Sequence, residues 1–153
     1  MIKLIVTKSE KVQDLFVSSV KKFSKMSGVC VLVAKPYSAV ANKLKGSRIL
    51  FIDTLSESEE ENVIHVPPSN LTALSIAVNQ ALQSFEGKKF LVFDSFSTLT
   101  VRNPPKVVSK FALFLLERVR TWDVEAVIIV AKEGTDPELL AVLKQSADKV
   151  EEK

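Results

Sequence analysis

The chain has 153 residues, 46% of them hydrophobic, which is enough for one compact core and too few for two, so a single domain over 1–153 is expected. The net charge of +3 comes from dispersed basic residues such as Lys21-Lys22 and Lys88-Lys89, a pattern that reads as a solvated surface and argues against a nucleic-acid patch. No run approaches the roughly 20 apolar residues of a membrane span, Ile2 to Val6 is too short for a signal-peptide core, and the only cysteine, Cys30, has no partner for an internal bridge; a cytoplasmic protein without membrane contact is expected.

In chain order, the apolar run 2–6 predicts a first strand. Ser9 then reads as the cap of a helix whose inner face is Val12, Leu15, Phe16, Val20 and Phe23. A second strand is expected over 29–34, a short helix from Pro36 to about Leu44, and strands over 49–53 and 63–66 flanking the polar loop Ser56 to Glu61. Behind Pro67-Pro-Ser-Asn70, the residues Leu71, Leu74, Val78, Leu82 and Phe85 recur at helical spacing. A strand at 90–94, a helix at 105–121, a strand at 124–131 and a helix at 137–146 follow, the last with Asp136 as cap and Pro137 at its first position. Lys149-Val150-Glu151 reads as a final edge strand or a fraying end. Strands that are apolar throughout belong to a parallel sheet buried on both faces, with the helices as crossovers. The fold class is therefore α/β, a three-layer α/β/α sandwich with a mostly parallel central sheet.

Phe90-Leu-Val-Phe-Asp94 is an apolar strand ending in an acid, and Asp94-Ser95 is followed by a Ser/Thr turn. Together with Arg48-Ile-Leu-Phe-Ile-Asp53, Asp136-Pro-Glu-Leu-Leu140 and Ala147-Asp-Lys-Val150, it gives the chain, over nearly its whole length, the motif order of the RecA-like P-loop ATPases. It most closely resembles their archaeal-type KaiC/RadA branch. The resemblance implies a RecA-like core, with β-strand and helix 2–23 as the phosphate-loop unit, Asp94 at the magnesium-holding position, and ATP with Mg as cofactors.

Two departures qualify that implication. A phosphate loop needs glycines so that successive backbone N–H groups can turn inward around a phosphate. Thr7-Lys8-Ser9-Glu10-Lys11-Val12 contains none, and the four glycines of the chain, Gly28, Gly46, Gly87 and Gly134, stand elsewhere. Lys11 is the nearest equivalent of the phosphate lysine, and it reads as a first-turn surface lysine. Where the resemblance implies a pair of glutamates after the second strand, Ala34-Lys35-Pro36-Tyr37 stands, and a lysine and a proline cannot act as that carboxylate. The expectation is a pseudo-ATPase: no catalytic residue, no metal, no cofactor, with Asp94 and Lys11 as vestigial nucleotide-site candidates. The alternative is an ATP-binding or ATP-hydrolysing regulatory protein with a remodelled loop at Thr7 to Lys11.

Other sites fail on composition. Asp94-Ser-Phe-Ser-Thr-Leu99 resembles the first motif of haloacid-dehalogenase-type phosphatases, but Phe96 replaces the second acid and no acidic pair ends a later strand. Asp53 invites comparison with the phosphoacceptor of response-regulator receivers, but Thr7-Lys8 stands where their acidic pair is needed. The single histidine, His65, has no recognisable nucleophile beside it. One surface feature remains: in helix 105–121, Leu113 and Leu116 lie away from the core face made by Val108, Phe111, Ala112, Leu115 and Val119, and are candidate contact residues for a protein partner or a homo-oligomer.

Overall fold

The computed structural model describes residues 1–45 and 48–153; Gly46, one of the four glycines, lies outside them. Seven strands, β1 (Ile2–Thr7), β2 (Ser27–Leu32), β3 (Ile49–Asp53), β4 (Val63–His65), β5 (Lys89–Phe93), β6 (Val124–Ala131) and β7 (Lys149–Glu152), form one sheet in the order β4-β3-β2-β5-β6-β1-β7. Every ladder is parallel, including that of β7 against β1, so the terminal segment pairs and does not fray.

Among the described residues five α-helices cover it: α1 (Val12–Lys21), α2 (Tyr37–Val40), α3 (Leu71–Gln83), α4 (Pro105–Thr121) and α5 (Pro137–Ser146). Alternate residues along each strand serve opposite faces. Ile2, Leu4 and Val6 join Leu91, Phe93 and Ile128 under α3, α4 and α5. Ile5, Cys30, Leu32, Phe90 and Val92 meet Val12, Phe16 and Val20 of α1 and Val40 of α2 on the other side. Both faces are dry, which is why these strands are apolar runs and not alternating ones.

The helix starts follow capping chemistry in two places. The Asn70 side chain accepts from Ala73 N at 3.0 Å, and that of Asp136 from Leu139 N at 3.1 Å, each pairing an N–H that the helix leaves without a partner. Ser9 departs from its expected role: it opens a single 3₁₀ turn, Ser9–Lys11, and α1 begins only at Val12 without a side-chain cap.

From β2 the chain turns through α2 towards the β3-β4 edge, whereas from β5 it passes through α4 to β6 on the other side. The carboxyl ends of β2 and β5 are thus a point where the connections diverge, and in an open parallel sheet such a point leaves a crevice suited to ligands. One glycine is demanded at the opposite, amino end of the same two strands. Gly28 pairs with Phe90 across β2 and β5, and a Cβ at residue 28 would lie 2.3 Å from the Phe90 ring and 2.5 Å from its carbonyl oxygen.

Candidate functional site at the carboxyl edge of the sheet

Asp94 directly follows β5 and is fully buried. Its Oδ1 accepts from Val33 N at 2.7 Å and Ala34 N at 3.3 Å, and its Oδ2 from Ala34 N at 3.1 Å and Lys35 N at 3.2 Å. Three successive amides in the bend after β2 therefore converge on one carboxylate, the concave arrangement that backbone N–H groups make around an anion. Here the anion is the chain's own side chain, and it spans the crevice between β2 and β5. Burial pushes the Asp94 carboxyl up to about 6, while the amides of Val33, Ala34 and Lys35 pull the other way. Beneath it, burial raises the Cys30 thiol well above its ordinary value, with the Asp94 charge adding to the effect.

Asp53 is handled in the same manner one strand over. Fully buried at the end of β3, it accepts from Tyr37 N and Ser56 Oγ, both at 2.8 Å, through Oδ2, and from Leu55 N at 2.8 Å and Ser56 N at 3.1 Å through Oδ1. Its own carbonyl accepts from His65 Nδ1 at 2.8 Å, so that nitrogen carries the proton and the histidine pins β4 to β3. The two aspartates are satisfied acids that close strand ends, and neither carboxylate faces solvent.

Between β1 and α1 the backbone runs from extended at Lys8 (φ −64°, ψ 145°) into the right-handed region at Lys11 and Val12. Among the described residues only Gly87 and Gly134 have positive φ, so no residue from Thr7 to Val12 adopts the left-handed conformation. One free amide of this turn, Ser9 N, donates to Glu133 Oε2 at 3.1 Å. The backbone and side-chain hydrogen bonds from Ser9 hold the Glu133 carboxyl below its ordinary value. Ser97 Oγ accepts from Ala131 N at 3.2 Å and links the turn after β5 to β6.

Above these groups lies a depression of about 220 Å³ whose walls include Ser9, Gln13, Lys35, Ser95 and Thr98. The structure does not bring Lys11 and Asp94 together in it: Lys11 is exposed outside, and Asp94 is sealed below. Glu59, Glu60 and Glu61 are exposed in the loop between β3 and β4. No group of three His, Cys, Asp or Glu residues converges as a metal site among the described residues.

Leu113 and Leu116 part company. Leu113 is 45% exposed, whereas Leu116 is 2% exposed and belongs to the core under α4 and α5, so Leu113 alone reaches the surface. Sequence reading missed the larger apolar feature, a groove of about 460 Å³ between α3 and α4. It is bordered by Ile76 (53% exposed), Val107 (46%) and Phe114 (48%). A signal for it was present in α3, which has no charged residue in Leu71–Gln83.

The all-parallel seven-stranded sheet with helices on both faces is a RecA-like α/β fold. Residues 46–152 match the family of unknown function DUF7504, and the chain belongs to that family. Among solved structures it is similar to a KaiC-like protein from the hyperthermophilic archaeon Pyrococcus horikoshii OT3, at a TM-score of 0.69 and 14% identity, over 97% of this chain and 70% of that one. At that identity the likeness is one of fold. No curated protein matches the chain.

Proposed function

We propose that this chain is a single, non-catalytic RecA/KaiC-like domain, a pseudo-ATPase that works by contact with other protein and not by turning over ATP. The observation that carries this reading is the Asp94 carboxylate locked onto the amides of Val33, Ala34 and Lys35. In a nucleotidase of this fold the acid after the central strand faces magnesium. Here its oxygens face N–H donors and it is closed off from solvent, so the residues present do not fit a magnesium-nucleotide group. The turn from Thr7 to Val12 adds support, with no glycine and with a glutamate, Glu133, on one of its amides, where the negative charge opposes a phosphate. The depression above also falls short of the roughly 300 Å³ at which small-molecule pockets begin.

Calorimetric titration with ATP and magnesium tests the reading. No heat of binding is expected up to millimolar nucleotide. Micromolar binding that disappears in Lys11→Ala, a change at an exposed side chain, would establish the remodelled-loop ATP site and overturn the proposal.

A further inference from the structure

The groove between α3 and α4 is two-toned. Its α3 wall carries no charge, and its α4 wall presents Lys110 and Arg118, with no carboxylate among the lining residues. Among the described residues neither cation is in an ion pair, and the Arg118 guanidinium lies 4.9 Å from the centre of the Phe114 ring, which holds it at the groove edge. The two cations are eight residues apart on one helix, about 12 Å, with Phe114 between them.

From this we infer that the groove is a docking site for an acidic amphipathic helix of another protein, an inference that deepens the protein-contact reading and rests on it. The charge pattern sets the sign: apolar anchors must be flanked by carboxylates about two turns apart to meet Lys110 and Arg118. The walls set the conformation. Both belong to helices whose peptide groups are already paired, so they offer no sheet edge, and a segment entering an apolar groove must satisfy its own backbone, as a helix does. A second copy does not fit symmetrically, because groove against groove would bring the cations of the two copies together with no carboxylate in the lining to pair them. Nor is there an exposed acidic helix among the described residues, since the acidic run Glu57 to Glu61 lies in a non-helical loop.

The test uses a displayed library of helix-forming peptides with Leu at heptad spacing and Glu, Gln or Lys at the flanking positions, selected on the wild-type chain alone and then measured against the wild type and Phe114→Glu. Circular dichroism confirms that each variant is folded. Glu-flanked peptides should be enriched and should shift the emission of Trp122, the only tryptophan, which lines the groove. They should lose at least about tenfold in affinity on Phe114→Glu. Lys110→Glu with Arg118→Glu should transfer preference to Lys-flanked peptides. The proposal is overturned if no peptide is retained, if Gln- or Lys-flanked peptides bind the wild type equally well, or if Phe114→Glu has no effect. It is also overturned if the wild-type chain self-associates and Phe114→Glu makes it monomeric, since a second copy would then cover the groove. These outcomes are separate from the ATP titration: nucleotide binding would sink the pseudo-ATPase reading and leave peptide selectivity standing.

Discussion

The main-chain N–H of Val33 donates to the Asp94 carboxylate at 2.7 Å, across the crevice where the connections from β2 and β5 diverge. This contact and its neighbours at Ala34 and Lys35 extend the joining of two strand ends beyond the backbone bond from Asp94 N to the Val31 carbonyl at 3.1 Å. Removing the carboxylate in Asp94→Ala leaves N–H donors without an acceptor in a buried place. A loss of about 3 kcal/mol of stability is expected near pH 4. The pH dependence follows from an acid raised from 3.8 unfolded to about 6 folded, so that between these values the folded state holds more proton. The stability Asp94 contributes is full below about pH 4 and is lost as pH rises through about 6. Urea midpoints of the wild type should therefore carry a falling component over that window. Asp94→Ala should lack it, and its penalty should be smaller at pH 7 than at pH 4. Equal penalties at both would show that the carboxyl does not titrate there.

Gly28 pairs with Phe90 across β2 and β5, leaving no room for a Cβ, and Phe23 stacks on the same ring with 5.0 Å between centroids. Gly28→Ala forces a methyl to within 2.5 Å of the Phe90 carbonyl oxygen as well as onto the ring, and the backbone of a central strand cannot give way cheaply. A destabilisation of about 1–3 kcal/mol is expected in thermal or urea unfolding. Adding Phe90→Leu should recover only part of it, because the carbonyl clash remains.

Glu151 on β7 sits among three ammonium groups, Lys3 at 3.2 Å, Lys149 at 3.3 Å and Lys153 at 3.4 Å. Burial alone would raise its carboxyl, but the lysines outweigh that and hold it at about 2. The folded value is depressed below 4.5, so its contribution is present above about pH 4.5 and disappears as pH falls through about 2. Glu151→Gln leaves the lysines facing one another. Hydrogen exchange of the β7 amides at neutral pH should accelerate by up to about fivefold, corresponding to about 1 kcal/mol. Added salt should shrink the difference.

Much of this molecule was legible residue by residue. The strand-helix order, the cap at Asp136 and the buried strand ending in Asp94 follow from local periodicity and side-chain chemistry, which act over a few residues. Ser9 misled because a short polar residue ahead of an apolar helix looks the same whether it caps the helix or opens a 3₁₀ turn. Leu116 misled because helix 105–121 borders two neighbours: a wheel drawn for one core face cannot see that α5 covers a second. The apolar groove escaped because Ile76 and Phe114 come from helices far apart in the chain.

The same division holds for the acid at the end of β5. Composition and order by themselves determined that an α/β sheet forms, that an aspartate ends its central strand and that no glycine-bearing phosphate loop precedes it. Only the tertiary structure decided what that aspartate faces. Strand pairing brings the bend at Val33 to Lys35, some 60 residues away in the chain, over the Asp94 carboxylate, and the pairing of distant backbone amides with a buried charge is set by the register of a folded sheet.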